Sequence, residues 1–511
     1  MMTIEALPRG DNPFDSSGVV RDARGVAHYA DLPGSLVAMF RTWVERTPDA
    51  AAVSEVGGER LTFAQLWDRS ARVAGGLRRR GVRHGDRVAI RLPAGLDWVF
   101  AFFGTLMVGG TVVPVNTRFT EPEADYVVTD SGSSYVFLPG ESLPDDAPCF
   151  EDDLRADERA AIFYTSGTTG FPKGAITTHT GFLTNCENML RALRLPLSDG
   201  NPVRTLISVP LFHVTGCNSQ LLTAMYQGGS SVILPALDLA VLLRTVEEER
   251  INFMVTVPAV YALALNHPSF AGTDVRGVQR VGYGGAPIAP ALVHRIQAAF
   301  PNAKVTNGFG MTETASLLTT LPHEFAAEHA DSVGFACPVV DLALEDVNSR
   351  SGVGQLLVRG ANITQGYWNK PEATEQTIVD GWLRTGDLAR VDPNGLTYIV
   401  DRSKDMINRG GENVYCVEVE NALAGAPGVA EAAVVGVPDN VMGEKVGVIV
   451  VAAPGATVDP QAVAAYVRGK IADFKVPQYV AVRQTPLPRN PGGKVIKKVL
   501  RDETEWGAPL R

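Results

Sequence analysis

Apolar positions recur along this chain with two periods, one helical and one of simple alternation. Residues 61–84 (LTFAQLWDRSARVAGGLRRRGVRH) place apolar side chains at helical spacing behind a threonine cap, which predicts an amphipathic helix. VAIRLP, VVPVN and SYVFLP follow as strand-like runs between helical stretches. Residues 204–300 repeat the rhythm: RTLISVPLF, SSVILP, INFMVTVP and RVGYGG read as strands, and 237–250 and 290–300 as helices. Such alternation predicts α/β layers. Residues 352–400 differ. GQLLVRG, GWLRTGDLARVD and LTYIVD are short strands with DG and PNG turns, which predicts a small β-rich subdomain. After Asp401 the pattern predicts a helix at 415–424, strands AEAAVVGVP and KVGVIVVAA, a helix at 460–473 and a Pro/Gly/Lys-rich tail. The expected fold class is α/β. A large N-terminal domain (1–401) of layered α/β subdomains with a β-rich piece precedes a small α+β C-terminal domain (402–511). Residues 1–32 read as an irregular arm.

The run from Trp98 to Val115 is uncharged for long enough to suggest a membrane span. Gly109, Gly110 and Pro114 interrupt it, so it reads as a buried helix, a glycine stop and a short strand. Length and composition agree with a globular protein of at least two domains: 511 residues, 45% hydrophobic and 20% charged. The net charge of −10 argues against a nucleic-acid partner. Five scattered cysteines, with no CxxC pair, read as reduced thiols of a cytoplasmic protein. The N-terminal stretch is acidic and lacks an apolar core, so no signal peptide is expected. Of 46 basic residues only 10 are lysines, and just Lys173, Lys304 and Lys370 precede residue 400.

One of those lysines closes a distinctive loop. Tyr164-Thr165-Ser166-Gly167-Thr168-Thr169-Gly170-Phe171-Pro172-Lys173-Gly174 follows the apolar run AAIFY. Its glycines let backbone N–H groups approach anionic oxygens, its hydroxyls donate, and Lys173 adds a point charge. It is not a Walker loop, because Gly174 stands where the metal-binding hydroxyl would be. Two further glycine-rich stretches follow strands. Gly284-Gly285-Ala286-Pro287 and Asn307-Gly308-Phe309-Gly310 leave room for a flat ring, with Phe309 as a stacking face. Thr312 can donate to a phosphate, and Glu313 is a hard oxygen ligand for Mg²⁺. Asp387, in the turn Arg384-Thr385-Gly386-Asp387, can accept from ribose hydroxyls. His323 and His329 only mimic a zinc motif, since six residues separate them.

TSGTTG-x-PKG resembles the loop of the adenylate-forming enzymes, which include acyl-CoA and aryl-CoA synthetases, luciferases and peptide-synthetase adenylation domains. The resemblance runs from about residue 40 to about residue 502. It implies that Thr165 to Gly170 and Lys173 hold ATP phosphates, that 284–287 and 307–310 hold adenine, and that Thr312 and Glu313 serve the α-phosphate and the metal. The family usually has Tyr where Phe309 stands; stacking survives, but a hydroxyl contact is lost. By the same resemblance Asp387 and Arg402 contact ribose or phosphate. Lys404 is then the hinge of a mobile C-terminal domain, and Lys494, in Pro488-Arg489-Asn490-Pro491-Gly492-Gly493-Lys494, is the catalytic lysine it carries. Lys497 and Lys498 read as solvating. Gly410, Gly411, Glu412 and Asn413 have the form of the CoA-binding branch.

The implied chemistry is ATP-dependent activation of a carboxylic acid as acyl-AMP, then transfer to CoA, with ATP, Mg²⁺ and CoA as cofactors. The acyl pocket is expected between Phe212, His213, Val214 and Cys217 on one side and Tyr283, Met311 and Ala315 on the other. None of these is an arginine or lysine that would pair with a second carboxylate. A medium- or long-chain fatty acid is favoured; an aryl acid, or a carrier-protein thiol as acceptor, stays open. The reading leaves room for a homodimer and for a peripheral membrane contact without a transmembrane segment.

Overall fold

The computed structural model describes residues 4–165, 172–195, 202–286, 288–410, 412–489 and 495–510. The helix expected over 61–84 runs from Phe63 to Arg79. A reciprocal capping box starts it: the Thr62 hydroxyl accepts from the Gln65 N–H, and the Gln65 side chain accepts from the Thr62 N–H. Its buried face, with Leu66, Val73 and Leu77, packs on the helix Leu96–Met107. A Cβ on Gly104 would lie 2.6 Å from the Val73 side chain, so this glycine sets how closely the two helices approach. The uncharged run is therefore interior. Its helix gives way to Gly109 at φ +75° and then to the strand Thr111–Pro114. Among the described residues no helix is long and apolar enough to cross a membrane.

Two compact units emerge. The first comprises Met1–Ala343, Val358–Leu383 and Asp392–Thr397; the second comprises Leu344–Leu357, Arg384–Val391 and Tyr398–Arg511. The first unit holds a nine-stranded sheet among the described residues. Its order is Phe335–Ala336, Thr319–Leu321, Lys304–Phe309, Arg280–Gly284, Phe253–Thr256, Arg204–Ile207, Ser230–Ile233, Ala51–Glu55 and Arg60–Thr62. The central strands are parallel, in a register that aligns Thr256 with Tyr283 and Asn307, and Gly284 with Gly308. A second sheet has the order Tyr135–Phe137, Arg87–Ile90, Thr111–Pro114, Arg159–Thr165 and Lys173–Thr178. Its last two strands form an antiparallel hairpin. In the second unit, Glu412–Val414, Ile407–Arg409, Gly443–Ala452, Val429–Asp439 and Tyr479–Arg483 form a mixed sheet. The helices Cys416–Leu423 and Pro460–Val467 share one apolar cluster with that sheet.

The structure corrects two expectations and adds two elements that none foresaw. The arm 1–32 contains a hairpin, Val19–Arg21 with Ala27–Tyr29, and the Arg9 guanidinium donates to the carbonyls of Ala336, Cys337 and Val340. The helix expected to reach 473 stops at Val467, because Gly469 takes φ +88°. A short helix, Pro371–Thr377, lies within the region expected to be β-rich. Finally, Thr215–Leu222 is wound as a π-helix, which its composition does not announce.

His179 shows how tightly the first unit is tied. It begins the helix His179–Leu193, is 2% exposed, and accepts the Leu36 N–H on Nδ1 at 3.2 Å. That N–H is an orphan donor in the first turn of the helix Leu36–Arg46. An accepting Nδ1 requires a neutral ring with its proton on Nε2. Burial pushes the imidazole down to about 4. Above pH 6.5 the ring is neutral whether the chain is folded or unfolded. Between 6.5 and 4 only the unfolded chain takes the proton, so stability falls with pH, by at most about 3 kcal/mol from this group. His179→Asn, which keeps an acceptor, should therefore flatten the pH dependence of the melting temperature between pH 6.5 and 4. An unchanged slope would show that His179 is not the group responsible.

Candidate active site

In the hairpin of the second sheet, Thr165 pairs with Lys173 and Tyr164 with Gly174. A Cβ on Gly174 would lie 2.5 Å from Ile162 Cγ2 and 3.0 Å from the Tyr164 ring, so the two strands need glycine there. Lys173 Nζ sits 5.2 Å from the centroid of the Tyr367 ring. The Tyr367 hydroxyl donates to Glu313 Oε1 at 2.8 Å. The backbone reinforces this. Trp368 N–H donates to the Gly174 carbonyl at 2.8 Å, Ile176 N–H to Gly366 at 3.1 Å, and Thr364 N–H to Glu313 at 2.7 Å. The segment 364–368 is thus stitched between the Lys173 strand and the Glu313 turn. Sequence reading missed Tyr367, because nothing in ITQGYWNK marks it as more than a loop aromatic.

Glu313 lies on the single turn Thr312–Thr314 and is 6% exposed. Ala315 (φ +54°) and Ser316 (φ +125°) follow it, both outside the region ordinary side chains prefer. Such residues cost on the order of 1–3 kcal/mol each and persist only where their surroundings over-determine them. Here the surroundings do. Asn218 Nδ2 donates to the Ala315 carbonyl at 2.8 Å, and the Ser219 and Ser316 hydroxyls are 2.6 Å apart. Leu317 N–H donates to Asn185 Oδ1 at 2.9 Å, and Asn362 Nδ2 donates to the carbonyls of Thr314 and Leu317. A Cβ on Gly310 would lie 1.5 Å from the Ser316 carbonyl oxygen, so the turn folds back directly onto that glycine.

The other nucleotide candidates gather at the carboxyl ends of the parallel strands, where open α/β sheets bind ligands. A Cβ on Gly284 would lie 2.2 Å from the Gly308 carbonyl oxygen, leaving a flat, side-chain-free surface. Asn307 is buried and donates to the Ser332 carbonyl; Gly308, Phe309, Gly310 and Thr312 are half-buried, and Gly285 and Ala286 are exposed. Val214, Cys217 and Ala315 are buried, and the Asn218–Ala315 bond links their two segments. Phe212 and His213 are half-buried at the head of the π-helix, and Met311 is half-buried beside Thr312. Tyr283 departs from this group. Side chains alternate along a strand, and Arg280 points to the helix His179–Leu193, donating to the Leu193 carbonyl at 2.9 Å. By that alternation Gly282 and Gly284 share the face of Arg280, and Tyr283 takes the opposite one.

In the second unit Arg402 Nε contacts Asp387 Oδ1 at 2.8 Å, and Asp387 is 3% exposed. Lys404 is exposed beside them. The Asp401 carboxylate accepts from the N–H groups of Arg402 and Cys416, and burial raises it to about 6. Gly410 takes φ +60° in a hairpin that pairs Arg409 with Glu412 and Asn408 with Asn413. Lys497 is not solvating: its ammonium is largely buried and pairs with Glu420 at 2.8 Å. Ser166, Gly167, Thr168, Thr169, Gly170, Pro287, Gly411 and Lys494 lie outside the described residues.

The model of the AMP-binding enzyme family matches residues 40–149 and 138–368, and that of the AMP-binding enzyme C-terminal domain matches 418–494. The chain belongs to the AMP-binding enzyme family. It is 35% identical to a feruloyl-CoA synthase of Amycolatopsis sp over 484 residues, 89% of this chain and 96% of that one. It is also 35% identical to the long-chain-fatty-acid–CoA ligase FadD13 of Mycobacterium tuberculosis over 483 residues, 88% and 94%. Among solved structures it resembles o-succinylbenzoate CoA synthetase (MenE) from Bacillus subtilis. In the complex with the acyl-adenylate intermediate OSB-AMP the TM-score is 0.83 at 28% identity, covering 92% of this chain and 99% of that one. In the complex with ATP and magnesium ion it is 0.80 at 27%, covering 91% and 98%.

Within this family member the back-folded turn makes a direct test. Gly310→Ala should force the Ser316 carbonyl away and displace Thr312 and Glu313. A displacement of about 1 Å costs on the order of a hundredfold in rate, so ATP–pyrophosphate exchange should fall by that order, with a lowered melting temperature. Wild-type exchange in this variant would mean that the turn is not under the constraint described.

Proposed function

We propose that this chain is an AMP-forming acid–CoA ligase that couples a carboxylic acid to CoA at the expense of ATP. The observation that carries the reading is the assembly of Lys173, Tyr367 and Glu313 beside the Thr165 loop strand, in a chain matched along its length by acyl- and aryl-CoA ligases. In the first step a carboxylate oxygen of the acid bonds to the α-phosphorus of ATP and the bond to pyrophosphate breaks, giving acyl-AMP. In the second, the CoA thiol, losing its proton, attacks the acyl carbon and AMP leaves. The first step brings anions together, so the protein's task is charge placement. Lys173 and Lys494 supply positive charge, Thr165 to Gly170 and Thr312 donate to phosphate oxygens, and Asp387 and Arg402 hold the ribose. The glycine segments 284–287 and 307–310 take the adenine. Gly410, Gly411, Glu412 and Asn413 admit CoA.

Glu313 fits Mg²⁺: it is a hard ligand, and Tyr367 occupies only one of its two oxygens. Mg²⁺ commonly takes one carboxylate together with substrate phosphates and water, and when bound it supplies charge neutralisation at the phosphates. We place the functional boundary at 401/402, with Lys404 as the hinge of residues 402–511 and Lys494 as the residue they carry. Free cysteines among the described residues support a cytoplasmic location.

For the acid we favour a medium- or long-chain fatty acid. Val214, Cys217, Met311 and Ala315 carry no charge. An aryl acid is the second reading, favoured by the feruloyl-CoA synthase match of equal identity. A panel of C2 to C20 and aromatic acids with ATP, Mg²⁺ and CoA, read as AMP release, should give its highest kcat/KM with C8 or longer acids. A maximum on cinnamate-type acids would select the second reading. Lys494→Ala should lose on the order of 10²–10³ in adenylation rate while still converting preformed acyl-AMP and CoA. An equal loss in both half-reactions would remove the role given to Lys494.

A further inference from the structure

We propose that Tyr367 is a positioning residue that holds Lys173 and Glu313 near one another while preventing them from neutralising each other. The proposal rests on the reading of those two residues given above. The phenol meets both charges without uniting them. Its ring face lies 5.2 Å from the Lys173 ammonium, a distance at which the aromatic quadrupole attracts a cation but leaves its N–H groups available. Its hydroxyl donates to Glu313 Oε1 at 2.8 Å, so that oxygen is satisfied and Oε2 is left for a metal. Among the described residues no carboxylate lies within ion-pair distance of Lys173.

The phenol is itself held from several directions. Tyr367 N–H donates to Thr374 Oγ1 at 2.9 Å, on the helix Pro371–Thr377. Its neighbour Trp368 donates from Nε1 to the Asp130 carbonyl at 3.1 Å, and its ring lies 5.5 and 5.4 Å from the guanidinium carbons of Arg87 and Arg159. Two backbone bonds fasten 366–368 to the Lys173 strand, and a third fastens Thr364 to Glu313. A side chain merely filling space would not need its polar atom aimed at a buried carboxylate.

Tyr367→Phe keeps the ring over Lys173 and removes only the hydroxyl, while Tyr367→Leu removes both. For Tyr367→Phe we expect the Mg²⁺ concentration at half-maximal ATP–pyrophosphate exchange to rise about tenfold, the low end for loss of a partner of a metal ligand. Calorimetric affinity for Mg·ATP should fall by a similar factor, with KM for the acid and conversion of preformed acyl-AMP by CoA unchanged. Tyr367→Leu should add a loss of maximal rate that saturating Mg²⁺ does not restore. In a Glu313→Gln background Tyr367→Phe should add no further shift. A wild-type Mg²⁺ requirement in Tyr367→Phe, or equal losses in both half-reactions, would overturn the proposal. If the wild-type chain exchanged pyrophosphate with no acid, the functional reading would fail instead. The calorimetric comparison would then still decide for or against Tyr367, because equal Mg·ATP affinities overturn its role.

Discussion

A carboxylate with 6% exposure has given up most of its water, and the Glu313 site is built around that cost. One oxygen recovers a hydrogen bond from Tyr367. The carboxylate can stand where it does only because the chain turns sharply after it, through Ala315 and Ser316 at positive φ. That turn is held by side chains from three distant segments: Asn185 on a long helix, Asn218 and Ser219 on the π-helix, and Asn362 ahead of the Tyr367 segment. Remove the need to bury and aim one carboxylate, and the strained turn and its amide clamps lose their purpose.

The same clamps connect the two halves of the chemistry. The π-helix carries Cys217 beside Asn218, so the segment expected to face the acid also holds the turn expected to face the metal and the phosphate. An extra residue per turn widens a helix and re-aims its side chains. That lets Asn218 reach the Ala315 carbonyl while Gln220, two residues on, donates back to the Leu206 carbonyl of the sheet. Behind this stands a continuous apolar cluster that includes Trp98, Phe102, Phe163, Phe182, Cys217 and Leu221. The geometry at the ligand end therefore rests on a packed interior rather than on loops alone.

Much of this could be read from residues. Periodicity located the helix behind Thr62 and the strands at 204–300, because amphipathic spacing and capping are local. Glycines at 284 and 310 were legible as positions of close approach, and a backbone oxygen does stand 2.2 and 1.5 Å from where their Cβ atoms would be. What escaped was non-local. Nothing near Thr215 announces a π-helix, and the end of the last long helix at Val467 depends on the conformation Gly469 adopts. Tyr283 was expected to line the acyl pocket by resemblance, yet strand parity turns it to the face opposite Gly284. Tyr367 is 54 residues from Glu313 along the chain, so only the fold joins them.

The scarcity of lysine takes on a different meaning in this light. Lys370, Lys445, Lys475 and Lys497 each pair with a carboxylate, so using lysine in an arginine-rich chain is not in itself a mark of function. At position 173 the choice has a physical reason. An arginine close to a buried carboxylate tends to form a bidentate fork, and such a fork would occupy both oxygens of Glu313. Lysine is a compact point charge that can rest over an aromatic face, within reach of an anion, without locking onto its neighbour. The phenol of Tyr367 and the ammonium of Lys173 are therefore complementary choices. One satisfies the carboxylate without charge, and the other brings charge without satisfying the carboxylate.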